Sequence, residues 1–121
     1  MDPDRIVRDF CAAWERADID AIVDAFSEDA VYHNIPMEPC RGKDAIRGFV
    51  GGLLGTTASG VQFEILRQVV AGNIVMNERV DTIVMESGNV ELPVCGVFEL
   101  APDGKIDAWR DYFDMGQFSG S

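Results

Sequence analysis

Two acidic residues and one arginine stand in segments of the sequence that otherwise resemble apolar strands. Arg79 and Asp81 are two positions apart, so their side chains point to the same face of a strand. Asp111 lies in another predicted strand, close to Trp109 and Tyr112. Acidic residues are depleted in strands because a pleated, half-buried surface suits them poorly. The three charged side chains therefore predict a catalytic set.

The chemistry of this set follows from its charge, provided that the three groups converge in one dry pocket. An arginine and two carboxylates are neutral when they share one proton, whereas full ionisation would bury a net negative charge. One carboxyl then stays protonated and the other ionised, which gives an acid and a base that titrate as a coupled pair. Tyr32 and Asn34 share a face of an earlier strand, and their hydroxyl and amide groups suit a bound water. Such a set meets the demands of opening an epoxide by water in one step, because it offers a proton for the ring oxygen and a base for the attacking water, and it requires no covalent intermediate and no metal.

The elements that must position these residues are predicted from the spacing of apolar side chains. Asp2-Pro3 begins one helix, Asp18 caps a second short helix that carries Ile22, Val23 and Phe26, and residues 42–54 form a third. Residues 30–34 form a strand before the third helix. After residue 60 the spacing alternates, and turn signals divide the chain into strands near 60–71, 74–86, 89–100 and 105–114.

These elements predict an α+β fold. Short connections between successive strands make an antiparallel meander, and strands of this length coil or bulge into a curved sheet. We therefore expect a cone-like roll whose concave face is covered by the three N-terminal helices, with a pocket enclosed between the two layers.

Apolar side chains on the same side as the charged set are expected to form the wall of this pocket. In the third strand of the meander, Leu92 and Val94 share one face, and the opposite face is half apolar, which predicts a homodimer interface. The candidate substrate-binding residues are Leu53, Leu54, Ile83, Leu92, Val94 and Phe113.

Size and composition limit the classes of function. A chain of 121 residues fits one domain, residues 1–121, and a net charge of −11 argues against nucleic acid and anionic membranes as partners. The sequence shows neither a secretory signal nor a spanning segment, and its three cysteines fit a reduced, cytoplasmic protein. Cys11 and Cys95 are expected in the core. His33 is the only histidine, so neither a zinc site nor another metal is expected.

Four segments carry a resemblance to a known family: EDAVYHNIP, NERVD, LPVCGVFEL and AWRDYFDMGQF. Together they resemble the limonene-1,2-epoxide hydrolases, whose fold is similar to the nuclear-transport-factor-2, ketosteroid-isomerase and SnoaL-like group. The resemblance implies a small apolar epoxide and water as substrates, without a cofactor. It also implies that Asp111 is the base, with Tyr32 and Asn34 as the other holders of the water. Asp81 would be the acid that protonates the epoxide oxygen, and Arg79 would bridge the two carboxylates.

Simpler interpretations remain open for each residue alone. Arg79 and Asp81 could form a surface ion pair, which contributes little to stability, and Asp111 could pair with Arg110 or Arg47. Two other functions also remain open: an isomerase or polyketide cyclase of the same fold group, and a non-catalytic module that binds a small ligand.

Overall fold

Helices and strands are segregated along the chain, as the change of spacing near residue 60 predicts. The computed structural model describes residues 1–118, so residues 119–121 of the predicted domain lie outside the described residues. The helices are α1 (Pro3–Glu15), α2 (Ile19–Asp24), α3 (Lys43–Gly55) and α4 (Met115–Phe118). The strands are β1 (Phe26–Asn34), β2 (Cys40–Arg41), β3 (Val61–Ala71), β4 (Ile74–Met85), β5 (Gly88–Leu100) and β6 (Ile106–Tyr112). Over these described residues, each helix is too short or too polar to cross a lipid bilayer.

The six strands form one curved, unclosed sheet in the order β2-β1-β6-β5-β4-β3, with helices on one side. Strands β3 to β6 pair as an antiparallel meander, so the predicted α+β fold is confirmed. Strand β1 pairs in parallel with β6, and the short β2 folds back antiparallel onto β1. The parallel contact joins the first long strand to the last, and it was not anticipated from the sequence.

The boundary between α2 and β1 differs from the prediction. Helix α2 ends at Asp24, and Phe26 is the first residue of β1 rather than part of the second helix. Phe26 is fully buried and packs edge-on against Phe10, with 5.4 Å between ring centroids. The start of β1 at Phe26 could not be recognised in the sequence, because the polar residues 27–29 separate Phe26 from the apolar part of the strand. Strand β2 was missed because a strand of two residues is too short to show an alternation of apolar and polar side chains.

Helix α1 contributes buried side chains to the core beneath the sheet. Asp2 caps it by accepting a hydrogen bond from the backbone N–H of Arg5 at 3.2 Å. Phe10 packs edge-on against the Trp109 ring at a centroid distance of 5.0 Å. Cys11 is buried as predicted, whereas the prediction for Cys95 is wrong, because Cys95 alternates with the inward-facing Val94 and is exposed.

Candidate active site

The pairing of the strands places five polar or small residues in one row across the sheet. From β1 to β3, the residues of this row are Asn34, Asp111, Gly96, Asn77 and Gln68. Two positions earlier on the same face of both strands, Tyr32 is the partner of Trp109 through the same parallel pairing. Residues that are far apart in the sequence, such as Asn34 and Asp111, are therefore neighbours.

Gly96 leaves a gap in the middle of this row. A Cβ atom built on Gly96 would lie 2.4 Å from Nη1 of Arg79 and 2.9 Å from Oδ1 of both Asn77 and Asp111. The backbone of Gly96 is not in the left-handed region, so glycine is required here for space rather than for conformation. The gap lets the Arg79 side chain cross β5 and reach Asp111 on β6.

The guanidinium of Arg79 is fully buried and uses each of its five N–H groups. Nε and Nη2 donate to the two oxygens of Asp81 at 2.9 and 2.8 Å. Nη2 also donates to Asp111 Oδ2 at 2.8 Å, and Nη1 donates to Asp111 Oδ1 at 3.3 Å. The remaining N–H of Nη1 is donated to Asn77 Oδ1 at 3.0 Å. The rings of Phe63 and Trp109 lie 4.7 and 5.8 Å from the guanidinium carbon.

Burial and the guanidinium act in opposite directions on the two carboxyl groups. Asp81 and Asp111 are 6% and 4% exposed. Burial raises the pKa of both side chains, and the charge and hydrogen bonds of Arg79 only partly counter it. Burial also lowers the pKa of Arg79, but the charges of the two carboxylates outweigh this effect, and the net direction is upward. The three groups form a cluster that is neutral when it holds one proton.

The two carboxyl groups do not have the same surroundings. Asp111 accepts three N–H donors, two from Arg79 and one from the indole of Trp109 at 2.6 Å. Asp81 accepts two, both from Arg79. Hydrogen bonds to the ionised form favour ionisation, so these contacts favour Asp111 as the carboxylate and Asp81 as the protonated acid.

A cavity of about 400 Å³ opens above this cluster. Its polar lining includes Tyr32, Asn34, Asp81 and Asp111, whereas Arg79 lies behind the wall. Five of the six predicted apolar residues also line it: Leu53, Ile83, Leu92, Val94 and Phe113.

Leu54 does not line the cavity, which corrects the prediction. Successive residues of a helix are rotated by about 100°, and Leu54 turns into the core where Leu53 turns toward the cavity. The prediction also missed several lining residues: Trp14, Met37, Gly48, Phe49, Gly52, Thr56, Val61, Phe63 and Met115. The spacing of Phe49, Leu53 and Thr56 on one helical face was a usable signal.

The simpler pairings considered for Asp111 are not present. Arg110 pairs with Glu99 at 2.6 Å, and Arg47 pairs with Asp20 at 2.9 Å, both on the surface. Among residues 1–118, no three His, Cys, Asp or Glu side chains are grouped in a way that could hold a metal ion.

This fold, with a cavity above buried carboxyl groups, defines a protein of the nuclear-transport-factor-2-like class. Residues 1–119 match the family described as limonene-1,2-epoxide hydrolase catalytic domain, and the chain belongs to that family.

Its relatives include the epoxide hydrolase EphG of Mycobacterium tuberculosis (strain H37Rv). That protein is 34% identical over 109 residues, which are 90% of this chain and 71% of the relative. The structure of an M. tuberculosis epoxide hydrolase like those of the limonene family superimposes with a TM-score of 0.86 at 34% identity, covering 98% of this chain and 87% of the other.

Two more distant structures share the fold. Bal32a, from a soil-derived mobile gene cassette, has a TM-score of 0.83 at 21% identity, with 96% of this chain and 92% of the other covered. The epoxide hydrolase/cyclase-like enzyme SalBIII has a TM-score of 0.85 at 23% identity, with 95% and 92% covered. At these identities the likeness concerns the fold alone.

Replacing Gly96 by alanine tests the gap that Arg79 occupies. The added methyl group overlaps Nη1 of Arg79, so we expect Gly96→Ala to displace the guanidinium and lower the free energy of unfolding by roughly 1–3 kcal/mol. Urea unfolding with an unchanged m-value measures the loss. The matched control is Gly51→Ala in α3, where nothing lies within 4 Å of the added Cβ. An alanine at 96 that is tolerated as well as the alanine at 51 would contradict the close approach.

The raised pKa values of Asp81 and Asp111 predict how stability changes with pH. Above the ordinary aspartate pKa of 3.8, the unfolded chain has released protons that the folded cluster retains, so stability falls as pH rises toward the folded pKa values. Asp81→Asn leaves Arg79 with one carboxylate, and this fall should flatten. Between low and high pH, Asp81→Asn should therefore be spared a loss in the free energy of unfolding of about 1.4 kcal/mol for each unit by which folding raises the pKa of Asp81. Urea midpoints measured across pH, with the exposed Asp107→Asn as control, check this. Equal slopes in the wild type and Asp81→Asn would contradict it.

Proposed function

We propose that the protein is a cofactor-independent epoxide hydrolase that adds water in one step to a small apolar epoxide. One observation carries the proposal: Asp81 and Asp111 are bridged by the buried Arg79 and line an otherwise largely apolar cavity. Membership of the epoxide hydrolase family supports the same reaction class. The product is a vicinal diol.

Asp111 is the proposed base. Its three N–H donors favour the carboxylate, and an oxygen lone pair that remains can accept a proton from water. Asn34 is its neighbour across the parallel pairing, and Tyr32 lies two positions before Asn34 on the same face, with its ring stacked on Trp109 at 4.3 Å. In this role the Tyr32 hydroxyl and the Asn34 amide hold the attacking water beside the carboxylate.

Asp81 is the proposed acid. It protonates the epoxide oxygen as the carbon–oxygen bond breaks, while Asp111 takes a proton from the attacking water. The cluster therefore holds one proton before and after the step, and its net charge does not change. Each proton transfer contributes a factor of roughly 10²–10⁴ to the rate. A proton then returns from Asp111 to Asp81 before the next turnover.

The cavity supports a small, mainly apolar substrate. A volume of about 400 Å³ suits a compact ligand. Trp109 is not among the lining residues and Phe113 forms part of the wall, so neither ring fills the space. An open cavity suits an enzyme and a ligand-binding module alike, so it is the pair of carboxyl groups bridged by Arg79 that favours a catalytic site.

An isomerase or cyclase of the same fold group makes a different use of two carboxyl groups. One removes a proton from carbon, and the other stabilises an enolate as a neutral donor. A charged guanidinium bound to both groups fits this scheme less well. Exchange of substrate C–H protons with deuterated solvent, without addition of water, would favour this alternative.

The route of the oxygen atom tests the one-step mechanism. A panel of small epoxides is hydrolysed in ¹⁸O-labelled water under single-turnover conditions, and the diol and protein are analysed by mass spectrometry. We expect the label in the diol during the first turnover. Label that enters an aspartate carboxyl group first would indicate an ester intermediate and exclude direct attack by water.

The two acids should be equally indispensable. Asp111→Asn removes the base and Asp81→Asn removes the proton donor, so each should lower kcat by at least about 10²-fold. Asp107→Asn, on the exposed side of β6, is the matched control and should retain activity. Diol formation at near wild-type rate by either active-site variant, with its fold intact by circular dichroism, would contradict the assigned roles.

We also propose a homodimer, formed through the outer face of the sheet. Met76 and Val97 are cross-strand neighbours there, and the exposed Val69 extends the row across β3. Tyr112 adds an exposed ring beside Cys95. An apolar stripe of this kind is typical of an interface between identical subunits.

The outer-face interface is tested by adding charge to its centre. Met76→Glu should shift the molar mass measured by light scattering from dimer to monomer, because a buried carboxylate without a partner is costly. Ser59→Glu, in an exposed loop, adds the same charge and should leave a dimer. A monomeric wild-type protein would exclude the proposal.

A further inference from the structure

Asn77 occupies the position opposite Asp111 across the gap left by Gly96, and the reaction scheme above does not use it. It is 3% exposed. Its Oδ1 accepts the fifth N–H of Arg79 at 3.0 Å, and its Nδ2 donates to Oε1 of Gln68 at 3.0 Å. Both ends of the amide are thus occupied, and the two contacts define which end faces the guanidinium.

The orientation of Asn77 depends on Gln68, the last residue of the row, and on Asp4 of α1. Gln68 donates from Nε2 to Oδ1 of Asp4 at 2.8 Å and to the Asp4 backbone carbonyl at 3.2 Å. The hydrogen bond from Gln68 and the nearby Arg8 lower the pKa of Asp4, so Asp4 is a carboxylate that only accepts. Gln68 must therefore turn its Nε2 to Asp4 and its Oε1 to Asn77. Asn77 in turn presents Oδ1 to Arg79.

An irregularity in β3 makes this chain possible. The pairing with β4 shifts between Ile65 and Arg67, so that two consecutive residues turn outward. Strict alternation would have placed Arg67 on the inner face. With the bulge, Gln68 lies inside, opposite Asn77, and Arg67 pairs with Glu78 on the surface.

We propose that Asn77 is a positioning residue for epoxide opening, which keeps the Arg79 guanidinium between the two carboxyl groups with a neutral acceptor. The proposal rests on the proposed function. A carboxylate at this position would complete the same hydrogen bond, but it would add a second negative charge to a cluster that is already neutral with one proton. The neutral amide satisfies Arg79 and leaves its charge to Asp81 and Asp111.

The other groups that face the cluster carry no competing charge. From α1 it is approached by Cys11, and burial raises the pKa of this thiol to about 12. From β1 it is approached by Tyr32, whose pKa burial also raises. The inner faces of β3 and β5 contribute Gln68 and Gly96 beside it, neither of which titrates. The charge of the residue at position 77 therefore determines whether the cluster around Arg79 stays neutral.

Two substitutions at position 77 separate positioning from simple packing. Asn77→Asp adds a negative charge, so both limbs of the pH profile of kcat/KM should move to higher pH. Asn77→Leu leaves one N–H of Arg79 without an acceptor and should lower kcat roughly 10- to 100-fold, with a smaller change in KM. Asn89→Asp adds the same charge at an exposed position and should leave the profile unchanged.

Gln68→Met tests the same chain without altering Asn77. It adds no charge but frees the Asn77 amide to turn, so kcat should fall less than in Asn77→Leu and the pH profile should stay in place. This variant also covers the case in which substitutions at the more buried position 77 do not fold. Wild-type kcat in a folded Gln68→Met protein would overturn the role of the chain.

A measurement that needs no turnover separates this inference from the proposed function. The ¹³C carboxyl signals of Asp81 and Asp111 are titrated by NMR in the wild type and in Asn77→Asp. We expect the apparent pKa values of the pair to rise in the variant. If they rise although no epoxide is hydrolysed, the charge balance is upheld and the proposed function fails. If hydrolysis is observed but neither the titration nor the pH profile moves, the inference about Asn77 is overturned.

Discussion

Burial of the Arg79 guanidinium sets the conditions that the rest of the molecule meets. A fully buried cation is tolerated only where its charge is balanced and each of its donors has an acceptor. Asp81 and Asp111 supply the charge, and Asn77 supplies the last acceptor. Space for the planar group exists because β5 carries a glycine, Gly96, where the guanidinium crosses it. Removing one partner leaves the others buried with an unmatched charge or donor, so these residues act as a unit.

The charged cluster packs against an aromatic core. Trp109 is the link between the two, because its ring stacks on Tyr32 and Phe98 while its indole N–H binds Asp111. Phe10 of α1 packs edge-on against that ring. The apolar burial offsets the cost of desolvating the carboxyl groups, and the packing holds Asp111 in one orientation. A change in the core is therefore transmitted to the carboxylate through a single side chain.

The sequence was sufficient for features that depend on local periodicity. Alternation in β4 correctly placed Arg79 and Asp81 on one face, and the turn signals separated the four long strands of the meander. Asp111 and Asn34 could be named as candidates, but their adjacency depends on the parallel pairing of β1 with β6, which no local pattern encodes. The same limit applies to the register shift in β3. One extra residue exchanges the inward-facing and outward-facing positions that follow it, and the composition of the strand does not mark where this happens. Leu54 shows the same limit within a helix, because a step of one residue from Leu53 to Leu54 moves the side chain from the cavity to the core.

Parallel pairing between the first long strand and the last has a consequence for how the protein matures. Tyr32 and Asn34 emerge from the ribosome well before the β6 residues that they adjoin, Trp109 and Asp111. Contacts so distant in sequence carry a high loop-closure entropy and form late in folding. No nascent fragment that lacks β6 holds both carboxyl groups. During translation, β1 and the edge of β5 remain without their partner strand, and this interval is when the chain most needs protection from aggregation.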